Sequence, residues 1–233
     1  MIRYAGVAEL ADALDLGSSG TPVQVQVLSP APISASFIGG LSIFYNKINL
    51  RCRECFMYIW TAINVEKQLS EIKHIIGEIE KQVGIIDSVV NLPLHISLKI
   101  SFEISDDMYA DAVDSIINYY KSVPKFDIEV SGIEKEENII WIRMEENREL
   151  HQIHRDLDKL VYEKYGILPH KFDLDYKFHT TLLMDSDCTK IAAAYNLIKD
   201  TKLPKKVYAD HLVIGSSKTG VAGTYIVDHN IKI

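Results

Sequence analysis

His95-Ile96-Ser97-Leu98-Lys99-Ile100-Ser101-Phe102-Glu103-Ile104 and Lys177-Phe178-His179-Thr180-Thr181-Leu182-Leu183-Met184 decide how this chain is read. Each is a strand-like run in which a histidine is followed two residues later by a hydroxyl. Side chains alternate between the faces of a strand. His95 and Ser97 therefore share one face while Ile96, Leu98 and Ile100 point to a core, and His179 and Thr181 likewise oppose Thr180, Leu182 and Met184.

Outward from these runs the pattern repeats. A strand-like run at 58–63 comes first, then a predicted helix over 66–83, where Leu69, Ile72, Ile76, Ile79 and Val83 recur at three- and four-residue steps. After the first histidine run come a helix at 106–121, carrying Met108, Val113, Ile116, Ile117 and Tyr120, and strands near 126–133 and 138–144. The charged stretch Glu134-Lys135-Glu136-Glu137 makes the turn between those strands. The order then restarts, with a helix at 147–165, a strand at 177–184, a helix at 187–201, and strands near 205–215 and 222–229. Each half reads helix, strand, helix, strand, strand. Short turns between paired strands make the pairs antiparallel. The expected fold is α+β: a bilobal duplicated fold of two antiparallel-rich sheets with flanking helices around a central cleft, where a ligand would sit.

The 233 residues, 47% hydrophobic and 24% charged, are those of an ordinary soluble globular protein. A net charge of −7 argues against the broad basic surface that non-specific binding of long nucleic acids requires. No apolar run approaches the roughly 20 residues of a membrane helix, and no signal peptide opens the chain, so the expected location is the cytoplasm. Cys52 and Cys55 form a lone CxxC without the second pair that a zinc site needs.

Residues 1–56 stand apart. They are rich in small residues, with a Ser18-Ser19-Gly20-Thr21-Pro22 turn cluster and breaks at Pro30 and Pro32. The spacing of Val7, Leu10, Ala11 and Leu14 fits an amphipathic arm. The stretch from Ala5 to Pro32 also resembles the conceptual translation of a transfer RNA gene. Val25-Gln26-Val27 can be encoded by GTTCAAGTC, the T-arm sequence. Ser29 to Pro32 can be encoded by a stretch containing CACCGGC followed by ACCA, and Ala5-Gly6-Val7 by its complement GCCGGTG. The expectation is a non-native or disordered extension over 1–56, with Met57 as the true start of one domain, 57–233. Genomic DNA with no tRNA-like fold at that position would refute it.

A strand histidine is often just a satisfied core residue, so the pairing carries the weight. The other histidines, at 74, 151, 154, 170, 211 and 229, all lack a hydroxyl two places on. Only His95 and His179 occupy matching points of the duplication. A twofold relation between lobes would bring two imidazoles and two hydroxyls to one cleft, a phosphate-sized constellation.

With these motifs the chain resembles the two-histidine phosphoesterase superfamily, in particular the branch of 2′-5′ RNA ligases and RNA 2′,3′-cyclic phosphodiesterases, whose signature is two H-x-[ST]-x motifs. The resemblance spans about Met57 to Val227. It implies a bilobal fold, metal-independent chemistry without a cofactor, His95 and His179 as catalytic acid/base pair, and Ser97 and Thr181 as substrate-binding residues. It also implies hydrolysis of 2′,3′-cyclic phosphate RNA ends, or a related small phosphodiester, to a 2′-phosphate, the reverse being 2′-5′ ligation. The expected partners are RNA ends or nucleotide-like small phosphodiesters and no membrane, with the chain a monomer. One imidazole would take a proton from the attacking water while the other, protonated, gives one to the departing ribose oxygen. Imidazoles titrating near neutrality suit both roles and predict a bell-shaped pH profile. Which histidine is the base stays open.

Two alternatives remain: a non-catalytic nucleotide or RNA-end binding module with the same groove, and an enzyme for another phosphodiester such as a cyclic nucleotide, ADP-ribose cyclic phosphate or carrier-linked phosphopantetheine. Lys99 and Lys177 share strand faces with their histidines and are either phosphate contacts or solvated rims. His151, His154 and Asp158 have a spacing that suits a metal, but they flank the apolar stripe Leu150, Ile153, Leu157 and Val161, which favours boundary residues. Gly215-Ser216-Ser217-Lys218-Thr219-Gly220 lacks the Gly-Lys-Ser/Thr order of a phosphate loop and reads as a hairpin turn.

Overall fold

The computed structural model describes residues 56–86 and 92–233. The extension over 1–56, with Cys52 and Cys55, lies outside the described residues apart from Phe56, which opens the first strand. The elements are β1 (Phe56–Asn64), α1 (Ser70–Val83), β2 (His95–Ser105), α2 (Asp106–Tyr120), β3 (Phe126–Lys135), β4 (Ile139–Met144), α3 (Arg148–Tyr165), a short 3-10 turn (Lys171–Asp175), β5 (His179–Met184), α4 (Cys188–Ile198), β6 (Lys206–Ala209), β7 (His211–Ser217) and β8 (Ile226–Lys232). They form two four-stranded antiparallel sheets, ordered β2-β1-β7-β8 and β5-β4-β3-β6. The fold is thus the α+β, two-sheet arrangement expected.

The sheets do not divide where the sequence repeat divides. In space the repeating unit is strand, helix, strand, helix, strand: β1-α1-β2-α2-β3, then β4-α3-β5-α4 and the closing strands. The third strands are exchanged, since β7 lies beside β1 while β3 lies beside β4. The run expected as one strand over 205–215 breaks at Asp210. Its first part, β6, pairs with β3 in one sheet and its second, β7, with β1 in the other. This exchange ties the lobes together through one large apolar core, with a smaller cluster of Trp60, Ala62, Val213 and Tyr225 beside it.

The large core follows the alternation read from the sequence at Ile96, Leu98 and Leu182, whereas Ile100 is buried outside it and Met184 is half-buried. Ile96, Leu98, Leu182, Ile59, Ile63, Ile140, Ile142 and Leu212 are all buried in it, with Ile72, Ile76 and Ile79 of α1 and Leu150, Ile153, Leu157 and Val161 of α3 closing over the strands. α1 begins at Ser70, later than expected, because the main chain turns tightly first, with Leu69 N–H donating to the Val65 carbonyl. α3 starts on Asn147, whose side-chain oxygen accepts from Leu150 N–H, and stops at Gly166, whose φ of 69° lies in the left-handed region that glycine enters without strain. No helix among the described residues is long and apolar enough to cross a membrane.

Candidate active site

His95 is the first residue of β2 and His179 the first of β5. Each of these strands is the edge of its own sheet, and the two strands come against each other where the sheets meet. The entry to each strand also has the same geometry. Nδ1 of His95 lies 2.7 Å from the Pro93 carbonyl oxygen, and Nδ1 of His179 lies 2.8 Å from the Lys177 carbonyl oxygen. A carbonyl only accepts, so Nδ1 is the donor in both rings, and in the neutral imidazole the lone pair stands on Nε2. The rings are held in one tautomer by the chain two residues upstream.

A tryptophan lies against each ring. Trp60, on β1, meets His95 edge to face with centroids 4.6 Å apart. Trp141, on β4, is tilted against His179 at 5.0 Å. These are the chain's two tryptophans, and each falls on the strand next to its histidine strand. Trp60 also donates from Nε1 to Ser97 Oγ at 3.3 Å. A hydroxyl that receives this donor still has its own hydrogen to give, so the bond fits Ser97 for donating to a phosphate oxygen. Trp141 sits opposite Thr181 in the β4–β5 ladder. Room for the Trp60 indole comes from Gly215, its partner on β7: a Cβ there would lie 2.9 Å from the indole and closer still to the Ile226 carbonyl oxygen. Neither tryptophan was singled out in the sequence. The available signal was a large aromatic on the strand adjoining each motif.

The alternation expected along β2 is interrupted after Ser97: the ladder with β1 shifts register there, so Ser97 stands opposite Ala62 and Lys99 opposite the buried Thr61. Ser97 is buried, and Lys99 is only 3% exposed. The Lys99 ammonium binds the carboxylate of Asp158 and, at 3.0 Å, that of Asp173. It is therefore neither a phosphate contact nor a solvated rim. Lys177 is exposed, and its carbonyl accepts from His179 Nδ1. His151 pairs with Glu146, at 2.7 Å, whereas His154 is buried. Ligand atoms of His154, Asp158 and Asp173 lie within 4.8 Å of one another, close enough to ligate a metal. Both carboxylates there already bind the Lys99 ammonium.

On the β4–β5 side, Arg143 sits opposite His179 in the ladder and is held by Glu134 at 3.3 Å and Ser131 at 3.1 Å. Together with Glu146, His151, Arg155, Tyr176 and Lys177 it lines a cleft of about 510 Å³. Farther along β1, the phenol of Tyr58 is pushed up to about 12, first by its hydrogen bond to Glu103, then by burial and by that carboxylate's charge. The stretch 215–220 is the end of β7 and the start of its connection to β8, as a hairpin requires.

A family model described as the 2′-5′ RNA ligase superfamily matches residues 66–220. Among solved structures, Escherichia coli LigT complexed with 3′-AMP is similar over 76% of this chain and 98% of its own, at 14% identity and a TM-score of 0.51. TT0787 of Thermus thermophilus is similar over 75% of this chain and 97% of its own, at 13% identity and a TM-score of 0.48. The likeness to the LigT complex is one of fold. No curated protein matches the chain.

Proposed function

The chain belongs to the 2′-5′ RNA ligase superfamily, and on that footing we propose that it is a metal-independent phosphodiesterase opening 2′,3′-cyclic phosphate RNA ends, or a related small phosphodiester, to a 2′-phosphate. His95 and His179 are the acid/base pair, and Ser97 and Thr181 hold the phosphate. One matched feature supports this above all: two histidines at the heads of abutting edge strands, each with Nδ1 tied to the carbonyl two residues before it. A fixed tautomer with Nε2 presented is what a general base needs, and the protonated form of the same ring is the acid. Ser97 and Thr181 stand two residues on, the spacing that turns a hydroxyl to the same face as the imidazole. Donors aimed at the non-bridging oxygens stabilise the charge that grows there as water attacks. LigT, of the same fold, has been crystallised with 3′-AMP, a ligand that joins ribose to phosphate as the proposed substrate does.

In the test, the protein is incubated with an oligonucleotide ending in a 2′,3′-cyclic phosphate, with EDTA present, and the product's phosphate position is determined. A 2′-phosphate formed at an undiminished rate is the expected result. A 3′-phosphate, or a rate abolished by EDTA, would contradict the mechanism, and ligand binding without turnover would point to a binding module.

A further inference from the structure

Next to the histidine strands lies a buried charged cluster that the proposed chemistry does not use. β2 is a sheet edge, and two of its main-chain groups are taken by side chains instead of a strand: the Leu98 carbonyl by His154 Nδ1 at 2.9 Å, and Ile100 N–H by Asp173 at 3.3 Å. The other ring nitrogen of His154 reaches the Asp173 carbonyl at 3.0 Å. Both of these acceptors are main-chain carbonyls, so the ring bridges the Leu98 main chain of β2 and the Asp173 main chain of the 3-10 turn. It lies 3.6 Å from the Asp158 carboxylate. The Lys99 ammonium thus faces two carboxylates, Asp158 and Asp173, with the His154 ring beside them, in a space nearly closed to water, and pairing is how buried charges are tolerated.

The position of this cluster matters more than its charge. Leu98 directly follows Ser97. On the other side, Tyr176 stacks on the His154 ring at 4.6 Å and Phe178 meets the same ring edge to face at 6.1 Å, and Phe178 directly precedes His179. Asp173 binds the amide of His170 as well, closing the 3-10 turn from which the chain runs into β5. A continuous set of buried contacts therefore runs from one residue after Ser97 to one residue before His179.

We propose that His154 and Asp173, held in place by their contacts with Asp158 and Lys99, form a clamp that sets the position of the His179 motif relative to the His95 motif. Resting on the phosphodiesterase reading of the site, this makes both positioning residues. A misplacement of about 1 Å in such a site costs on the order of 10²-fold in rate.

The test compares His154→Ala and the charge-balanced, nearly isosteric pair Lys99→Met with Asp173→Asn against wild type. A core variant on α2, Ile116→Val, serves as a destabilised control. The clamp predicts that kcat on the cyclic-phosphate oligonucleotide falls about 10²-fold in both clamp variants with KM within about threefold, while Ile116→Val keeps its kcat. Wild-type kcat in the folded clamp variants would overturn it. Hydrogen exchange tests the clamp without turnover: the paired variant should speed exchange at the Ile100 amide and at the His179 and Thr180 amides together. Unchanged exchange in β5 would overturn the clamp even if the enzyme is active. Coupled exchange in a protein inert toward cyclic phosphates would support the clamp and refute the phosphodiesterase reading alone.

Discussion

Replacing Trp60 with Phe tests whether the tryptophan orients Ser97 or merely fills space. The substitution keeps an aromatic ring against His95 but removes the N–H that reaches Ser97 Oγ at 3.3 Å. A neutral hydrogen bond of this kind contributes about 0.5–1.5 kcal/mol net. If all of it serves to aim the hydroxyl, kcat should fall about two- to tenfold, because 1.36 kcal/mol corresponds to a factor of about ten. Removing the donor itself, in Ser97→Ala, should cost about 10²–10³. The decisive assay is a double-mutant cycle on kcat with the cyclic-phosphate oligonucleotide. Once Ser97 is alanine there is no hydroxyl to aim, so adding Trp60→Phe should change nothing further. Additive losses in the double variant would refute the proposed orienting role and leave Trp60 as packing.

Gly215→Ala should disturb the same corner from the other side. Its Cβ would collide with the Ile226 carbonyl oxygen and lie 2.9 Å from the Trp60 indole, so a stability loss of about 1–3 kcal/mol or more is expected in urea unfolding, with kcat falling too. Asn147→Ala removes the cap of α3 and should cost about 1 kcal/mol by thermal unfolding, with kcat unchanged. The Tyr58 phenol is raised to about 12, so the stability from its bond to Glu103 is present in full below the ordinary tyrosine pKa near 10 and is lost as pH rises through about 12. The urea-midpoint gap between wild type and Tyr58→Phe should accordingly be wider at pH 8 than at pH 11.

Local pattern reached the elements and motifs because both are short-range. The strand-like run from His95 to Ile104 is β2 at His95–Ser105, and the helix expected at 147–165 is α3 at Arg148–Tyr165. What periodicity could not reach depends on partners far along the chain. Lys99 looked like a surface lysine because its counter-charges, Asp158 and Asp173, come from α3 and from a 3-10 turn with no periodic signature. His154 sits one residue past Ile153, at the margin of the apolar stripe, where sequence cannot tell a boundary residue from one buried against β2. The split at Asp210 was hidden because β6 and β7 both read as strand, and only their different partners separate them.

The central claim is that His95 and His179 act as one acid/base pair, and the most direct measurement is the pH–rate profile of the wild-type chain beside single His95→Ala and His179→Ala variants on the cyclic-phosphate oligonucleotide. The two-histidine mechanism predicts a bell-shaped wild-type profile and a loss of about 10²–10⁴ in each folded variant, since either half of the proton transfer is then missing. A variant that keeps its rate within a few fold of wild type would show that its histidine is not part of the chemistry, and the paired mechanism would be wrong.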